Sequence, residues 1–175
     1  MNYLLAALQL SLLGTLLVSG IGKLRAPRDS RVMVEEVLAR TAPGLRRYAP
    51  IGARALIGAE LVTAVALIPG FPFRVVGFAA ALLLFSVFTV VAVHSARSRT
   101  AIVCACFGRA ASPLGIRHVV RNALLTAMAT GGLALASTTR SGTAEFAGLA
   151  LAAAFSLIFT LVIAFLDDIA SLVTE

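Results

Sequence analysis

Cys104 and Cys106 are the only thiols in this 175-residue chain, set two apart in Cys104-Ala105-Cys106-Phe107-Gly108. In extended or turning backbone, alpha carbons at this spacing lie roughly 5.5–7 Å apart, which overlaps the disulfide range. So small a ring is strained, and strained disulfides are readily reduced. That suits an exchange site. One thiolate attacks or is attacked by a partner's sulfur, a mixed disulfide forms, and the neighbouring cysteine resolves it. Cationic side chains favour the thiolate, and Arg99, Arg109 and Arg117 flank the pair. Gly108 lets the backbone turn, and Phe107 is suited to anchor the loop in a bilayer. Two other readings stand beside this one. Cysteine also serves as a small buried hydrophobe. A structural zinc wants four ligands, and His94 and His118 are the only histidines that could join the pair.

A second candidate is Glu60, the one acid well inside an apolar run. A charge at that depth needs a partner. Lys23 and Arg121 end and begin apolar runs at the same face, so either can reach it, and Asn122 follows directly. The cluster Lys23, Glu60, Arg121, Asn122 reads as a proton or substrate path, or as a clamp between helices. His94 and His118 flank the cysteine loop. They can carry protons near neutral pH or serve as ordinary interfacial residues. No phosphate-binding glycine loop, Gly-x-Ser-x-Gly elbow or His-Glu-x-x-His motif is present. Gly131-Gly132 sits in an apolar run and reads as packing.

The elements that position these residues are set by composition. The chain is 59% hydrophobic and 13% charged, with a mean hydropathy of +0.97. A soluble domain is about a quarter charged. The expected fold is therefore an all-α integral membrane bundle, one domain over 1–175. Its spans fall at 3–22, 54–69, 75–95, 119–136 and 146–166, each near the length that crosses the hydrocarbon core. The first run has no Lys or Arg ahead of it, which favours a retained helix over a signal peptide. Gly14, Ser19, Gly20 and Gly22 within it offer a close-packing seam, or ordinary glycine tolerance. Pro27 is expected to stop the first helix. Asp29 or Ser30 would then cap a short amphipathic helix over 30–40. Pro43-Gly44 ends it, and Pro50 precedes the second span.

The chain carries 15 Lys+Arg against 8 Asp+Glu. No basic helix with stacking aromatics accompanies that charge, so nucleic acid is not the partner. With five spans, the loops after spans one and three share a face. The first holds Lys23, Arg25, Arg28, Arg31, Arg40, Arg46, Arg47 and Arg54; the second holds Arg97, Arg99, Arg109, Arg117 and Arg121. Only Arg74 and Arg140 lie elsewhere. The positive-inside rule then puts the amino terminus outside and the cysteine loop in the cytoplasm.

Four segments resemble the MauE family of methylamine-utilisation membrane proteins, relatives of the DoxX family. They are Ser19-Gly20-Ile21-Gly22-Lys23-Leu24-Arg25-Ala26-Pro27, Gly58-Ala59-Glu60-Leu61, Cys104-Ala105-Cys106-Phe107-Gly108 and Arg121-Asn122-Ala123-Leu124-Leu125. Their order and spacing match over most of the chain. The resemblance implies a multi-helix plasma-membrane protein that supports disulfide formation with Cys104 and Cys106. Its partners would be a thioredoxin-like protein of the MauD type and a cysteine-containing client. In the family that client is methylamine dehydrogenase. A looser analogy runs to quinone-linked thiol oxidases of the DsbB and vitamin-K-epoxide-reductase kind, making quinone a candidate cofactor. Those enzymes use a second cysteine pair, which this chain lacks. Oxidative folding belongs outside the cytoplasm, whereas the arginine count points the loop inward. A reading of another class is a non-catalytic membrane scaffold or small transporter subunit with incidental cysteines.

Overall fold

The computed structural model describes residues 3–68, 73–97, 103–104, 112–113, 116–138 and 146–173. Helix α1 runs Tyr3–Arg25, and α2 runs Pro27–Thr41. A 3-10 turn at Pro43–Tyr48 leads into α3, Ala49–Ala66. Helices α4, Arg74–Arg97, and α5, Ile116–Thr138, follow, and α6 is Phe146–Val173. Among the described residues, five stretches are long and apolar enough to cross a bilayer: Tyr3–Arg25, Pro43–Ala66, Arg74–Arg97, Ile116–Thr138 and Phe146–Phe165. Lipid offers the backbone no hydrogen bonds, so apolar runs of this length satisfy their own N–H and C=O groups as helices. The protein is an all-helical membrane bundle.

Two boundaries differ from expectation, both at proline. Pro27 opens α2 instead of merely closing α1. Proline lacks an N–H, but the first turn of a helix needs none, and its fixed φ suits that position. Helix α2 thus begins three residues before the expected 30. Neither Asp29 nor Ser30 is its cap. The N-cap is Ala26 with no side-chain cap, and the Ser30 hydroxyl donates back to the Ala26 carbonyl at 3.3 Å. Likewise Pro50 lies in the first turn of α3, which begins at Ala49, ahead of the expected 54.

Helix α1 is central, packing against α6, α3 and α5, while α4 packs against α5 and α3. The core between them holds Leu5, Leu12, Leu16, Leu67, Phe78, Phe85, Leu125 and Ala129. Membrane helices gain little from burying one apolar surface on another, so close backbone approach through small residues matters more. A methyl group added at Gly14 would meet the Thr160 side chain of α6 at 2.6 Å, and one at Gly20 would meet Leu61 of α3 at 2.9 Å. The glycines of α1 therefore serve two different interfaces. Gly132 of α5 receives the fully buried Phe78 ring of α4, whereas Gly131 faces open space.

The amphipathic α2 closes one end of the bundle. Met33, Val34 and Val37 pack with Leu56 of α3, Val91 and Ala92 of α4 and Val119 of α5. On its polar side, Glu35 accepts from Arg46 Nε at 2.9 Å, tying α2 to the 3-10 turn.

The Phe78–Gly132 contact leaves no room for a side chain. Gly132→Val should destabilise the bundle by about 1–3 kcal/mol, as overpacking does. Gly131→Ala should be neutral or slightly stabilising. Unfolding of both variants in detergent checks the contrast.

Candidate functional site

The site is built on one face of α1. Residues four apart share a helix face, and Ser11, Thr15, Ser19 and Lys23 follow that spacing, all buried. Thr15 hydroxyl donates to the Ser11 carbonyl at 2.8 Å, so part of this polar face is satisfied within its own helix. Lys23 lies at the far end. Its ammonium donates to Glu60 Oε1 of α3 at 2.5 Å and to Ser19 Oγ at 2.7 Å. Ser19 Oγ donates to the same carboxylate oxygen at 3.3 Å. Both side chains of the ion pair are 0% exposed. The Phe88 ring of α4 faces the ammonium, with its centroid 5.4 Å from Nζ. Three helices thus converge on one positive charge.

Helix α5 completes the cluster. Arg121 and Asn122 are both buried. With Thr15, Ser19, Lys23, Phe85, Phe88 and Leu125 they line a cavity of about 20 Å³. A single water needs roughly 10–15 Å³ of such space and several polar partners, so the cavity fits one water. Among the described residues, Glu60 Oε2, Gln9 Nε2 and Ser11 Oγ are buried without a hydrogen-bond partner. The carboxylate therefore keeps acceptor capacity beyond its bonds to Lys23 and Ser19.

Glu60 sits deeper than the sequence indicates. Because α3 begins at Ala49, the carboxylate lies eleven residues along it, about 16 Å at 1.5 Å per residue. That is about three turns, where the expected boundary implied two. The sequence also passed over Ser19 and Thr15 as polar members of the cluster. Their signal was the four-residue spacing that ends on Lys23.

The cysteine loop joins α4 to α5 at the end of the bundle that α2 covers. Within it, β1, Val103–Cys104, pairs antiparallel with β2, Ser112–Pro113, placing Cys104 opposite Ser112. Strand β1 lies against α2. Cys106, Phe107, Gly108, Arg99 and Arg109 lie outside the described residues. His118 is buried in the first turn of α5, and His94 is exposed near the end of α4. The structure therefore gathers Lys23, Glu60, Arg121 and Asn122 inside the bundle, and holds the backbone of Cys104 outside it, on α2.

A multi-pass helical bundle with a buried Lys–Glu pair at the foot of its first helix defines a polytopic membrane protein. The family model described as methylamine utilisation protein MauE matches residues 1–135. The chain belongs to that family. The match takes in the ion pair, the cysteine loop and most of α5, while α6 lies beyond it. No curated protein and no solved structure matches the chain.

Removing either member of the pair leaves an uncompensated charge in the bundle. Lys23→Met or Glu60→Met alone should cost about 3–5 kcal/mol of stability, and the double variant should recover much of that loss. A double-mutant cycle of unfolding in detergent reads the coupling.

Proposed function

We propose that the protein is a membrane thiol–disulfide relay that supports maturation of a partner protein, with Cys104 and Cys106 as the reacting thiols. The observation that carries this reading is the extended Cys104 backbone, pinned by its pairing with Ser112 and seated on α2. In extended or turning backbone, cysteines two apart have alpha carbons roughly 5.5–7 Å apart, which overlaps the disulfide range. Membership of the MauE family supports the setting, an accessory role in methylamine utilisation.

The exchange balances without a further reagent. A thiolate of a partner dithiol attacks one sulfur of the Cys104–Cys106 disulfide. The sulfur–sulfur bond breaks, the other cysteine leaves as a thiolate, and a mixed disulfide forms. The partner's second thiolate then attacks that bond, giving an oxidised partner and a reduced pair. Two electrons and two protons have moved onto this chain. A second, disulfide-bearing thioredoxin-like protein takes them by the same steps in reverse. The cavity at the polar cluster is about 20 Å³, whereas an apolar cavity known to hold a benzene ring is about 150 Å³. A quinone ring does not fit at the polar cluster.

Orientation follows from charge. Eight of the Lys and Arg residues belong to α1's foot, α2, the 3-10 turn and the start of α3, and five more flank the cysteine loop. We place this face in the cytoplasm. The relay then accepts electrons from a cytoplasmic thiol protein.

The buried Lys23–Glu60 pair favours a second reading, a scaffold in which the helix clamp is the essential part and the cysteines are incidental. The two readings part on substitution. Under the relay, Cys104→Ser and Cys106→Ser should each abolish client disulfide formation in cells at unchanged protein level. One of them should also accumulate a mixed disulfide with its partner, visible on a non-reducing gel. Full client maturation in the Cys104→Ser/Cys106→Ser double variant would leave the scaffold as the account.

A further inference from the structure

A groove between α2 and α4 lies apart from the ion pair and from the cysteine strand. Val37, Arg40 and Thr41 of α2 and Val90, Val91 and His94 of α4 enclose a cavity of about 170 Å³. Its walls are almost entirely apolar, and Val90 is 68% exposed on the outer surface of the bundle. In a membrane-spanning helix that exposure faces hydrocarbon. The polar end of the groove is basic. Arg40 is exposed in the last turn of α2, and His94 is exposed three residues before the end of α4. Both therefore sit at the boundary between hydrocarbon and water, on the face that carries most of the chain's Lys and Arg.

We propose that this groove is a binding site for one anionic phospholipid, with an acyl chain against Val37, Val90 and Val91 and the phosphate at Arg40 and His94. Size and charge both argue for it. Apolar cavities of about 150 Å³ accept a benzene-sized molecule, so this space takes a length of acyl chain. Arg40 offers a planar set of donors matched to phosphate. The Thr41 hydroxyl already donates to the Val37 carbonyl at 2.8 Å, so the Arg40 guanidinium supplies the charged contact. No acid lines the groove. Glu35 of the same helix is engaged by Arg46, and Glu36, one turn before Arg40, does not line the groove but keeps a buried carboxylate oxygen without a hydrogen-bond partner among the described residues. Negative charge on the headgroup is thus matched by the Arg40 guanidinium and opposed by no acid among the described lining residues. Basic pockets between membrane helices are known to hold anionic headgroups in this way. Free phosphate would use the cations but leave the valine walls unfilled.

The test is lipid retention by the full chain. The protein is reconstituted in a phosphatidylglycerol–phosphatidylcholine mixture, extracted in mild detergent and analysed by native mass spectrometry. About one phosphatidylglycerol per chain should stay bound, in preference to phosphatidylcholine. Arg40→Gln should lower that retention roughly tenfold, the loss of one charge-assisted contact. Val90→Trp should lower it as well by filling the groove without changing charge, and Val90 faces lipid, so the fold accommodates it. Equal retention of both lipids, or retention unchanged in Arg40→Gln and Val90→Trp, would overturn the proposal. So would a quinone carried through in place of the phospholipid, or inorganic phosphate alone stabilising the protein against heat as well as phosphatidylglycerol does.

Discussion

A lysine and a glutamate without access to water must find each other, and the bundle is arranged around that necessity. Lys23 and Glu60 are both fully buried. Separating them in a medium of low dielectric would cost far more than any single apolar contact returns. Their meeting fixes the rotation of α1 against α3. Ser19 shares the same carboxylate oxygen, and Phe88 of α4 faces the ammonium. Close approach at Gly20, where any side chain would meet Leu61, brings the two backbones near enough for the pair to form. Polar complementarity supplies specificity here, because lipid gives apolar helices little reason to prefer one neighbour over another.

The same pair marks the boundary between an inner and an outer part of the molecule. Inside are the charges, the Arg121–Asn122 start of α5 and a cavity for a single water. Outside lies the Val103–Cys104 strand, resting on α2. Helix α2 is the connection between them. Met33 of its apolar face shares a cluster with Ala92 of α4, which Leu56 of α3 and Val119 of α5 join, and β1 rests on α2. The order of α2 and the placement of Cys104 are therefore coupled.

Much of this was legible in the sequence, for identifiable reasons. Long apolar runs in a chain with few charges have only helix to adopt in lipid, so the five spans and α2 could be read from hydropathy. A lone acid inside such a run demands a cation, which pointed Glu60 at Lys23 or Arg121. The boundaries at Pro27 and Pro50 were misjudged because proline has two opposed meanings. It ends the helix before it, and it begins the one in whose first turn it sits. Ser19 was read only as a close-packing residue and Thr15 was not singled out, because a hydroxyl in a membrane helix can bond its own backbone, as Thr15 does to Ser11, and so needs no interhelical role. Helix order was not legible either. The packing of α1 on α6 depends on Gly14 meeting Thr160 and on Ser156 donating to the Ala7 carbonyl at 3.0 Å. Contacts between residues so far apart leave no periodic trace. The relation of Cys106 to Cys104 is still carried by their spacing alone, since Cys106 lies outside the described residues.

The central claim is that Cys104 and Cys106 form a reversible disulfide on the cytoplasmic face. Its most direct test is modification by a large, membrane-impermeant maleimide, read as a gel shift in spheroplasts that are intact or permeabilised, after diamide or after dithiothreitol. The account predicts no shift in intact spheroplasts. In permeabilised ones it predicts two added maleimides after dithiothreitol and none after diamide, the two thiols appearing and vanishing together. Two maleimides added after either treatment would mean that the thiols do not form a disulfide with each other, and would contradict the relay. A shift in intact, reduced spheroplasts would place the loop outside and contradict the charge-based orientation.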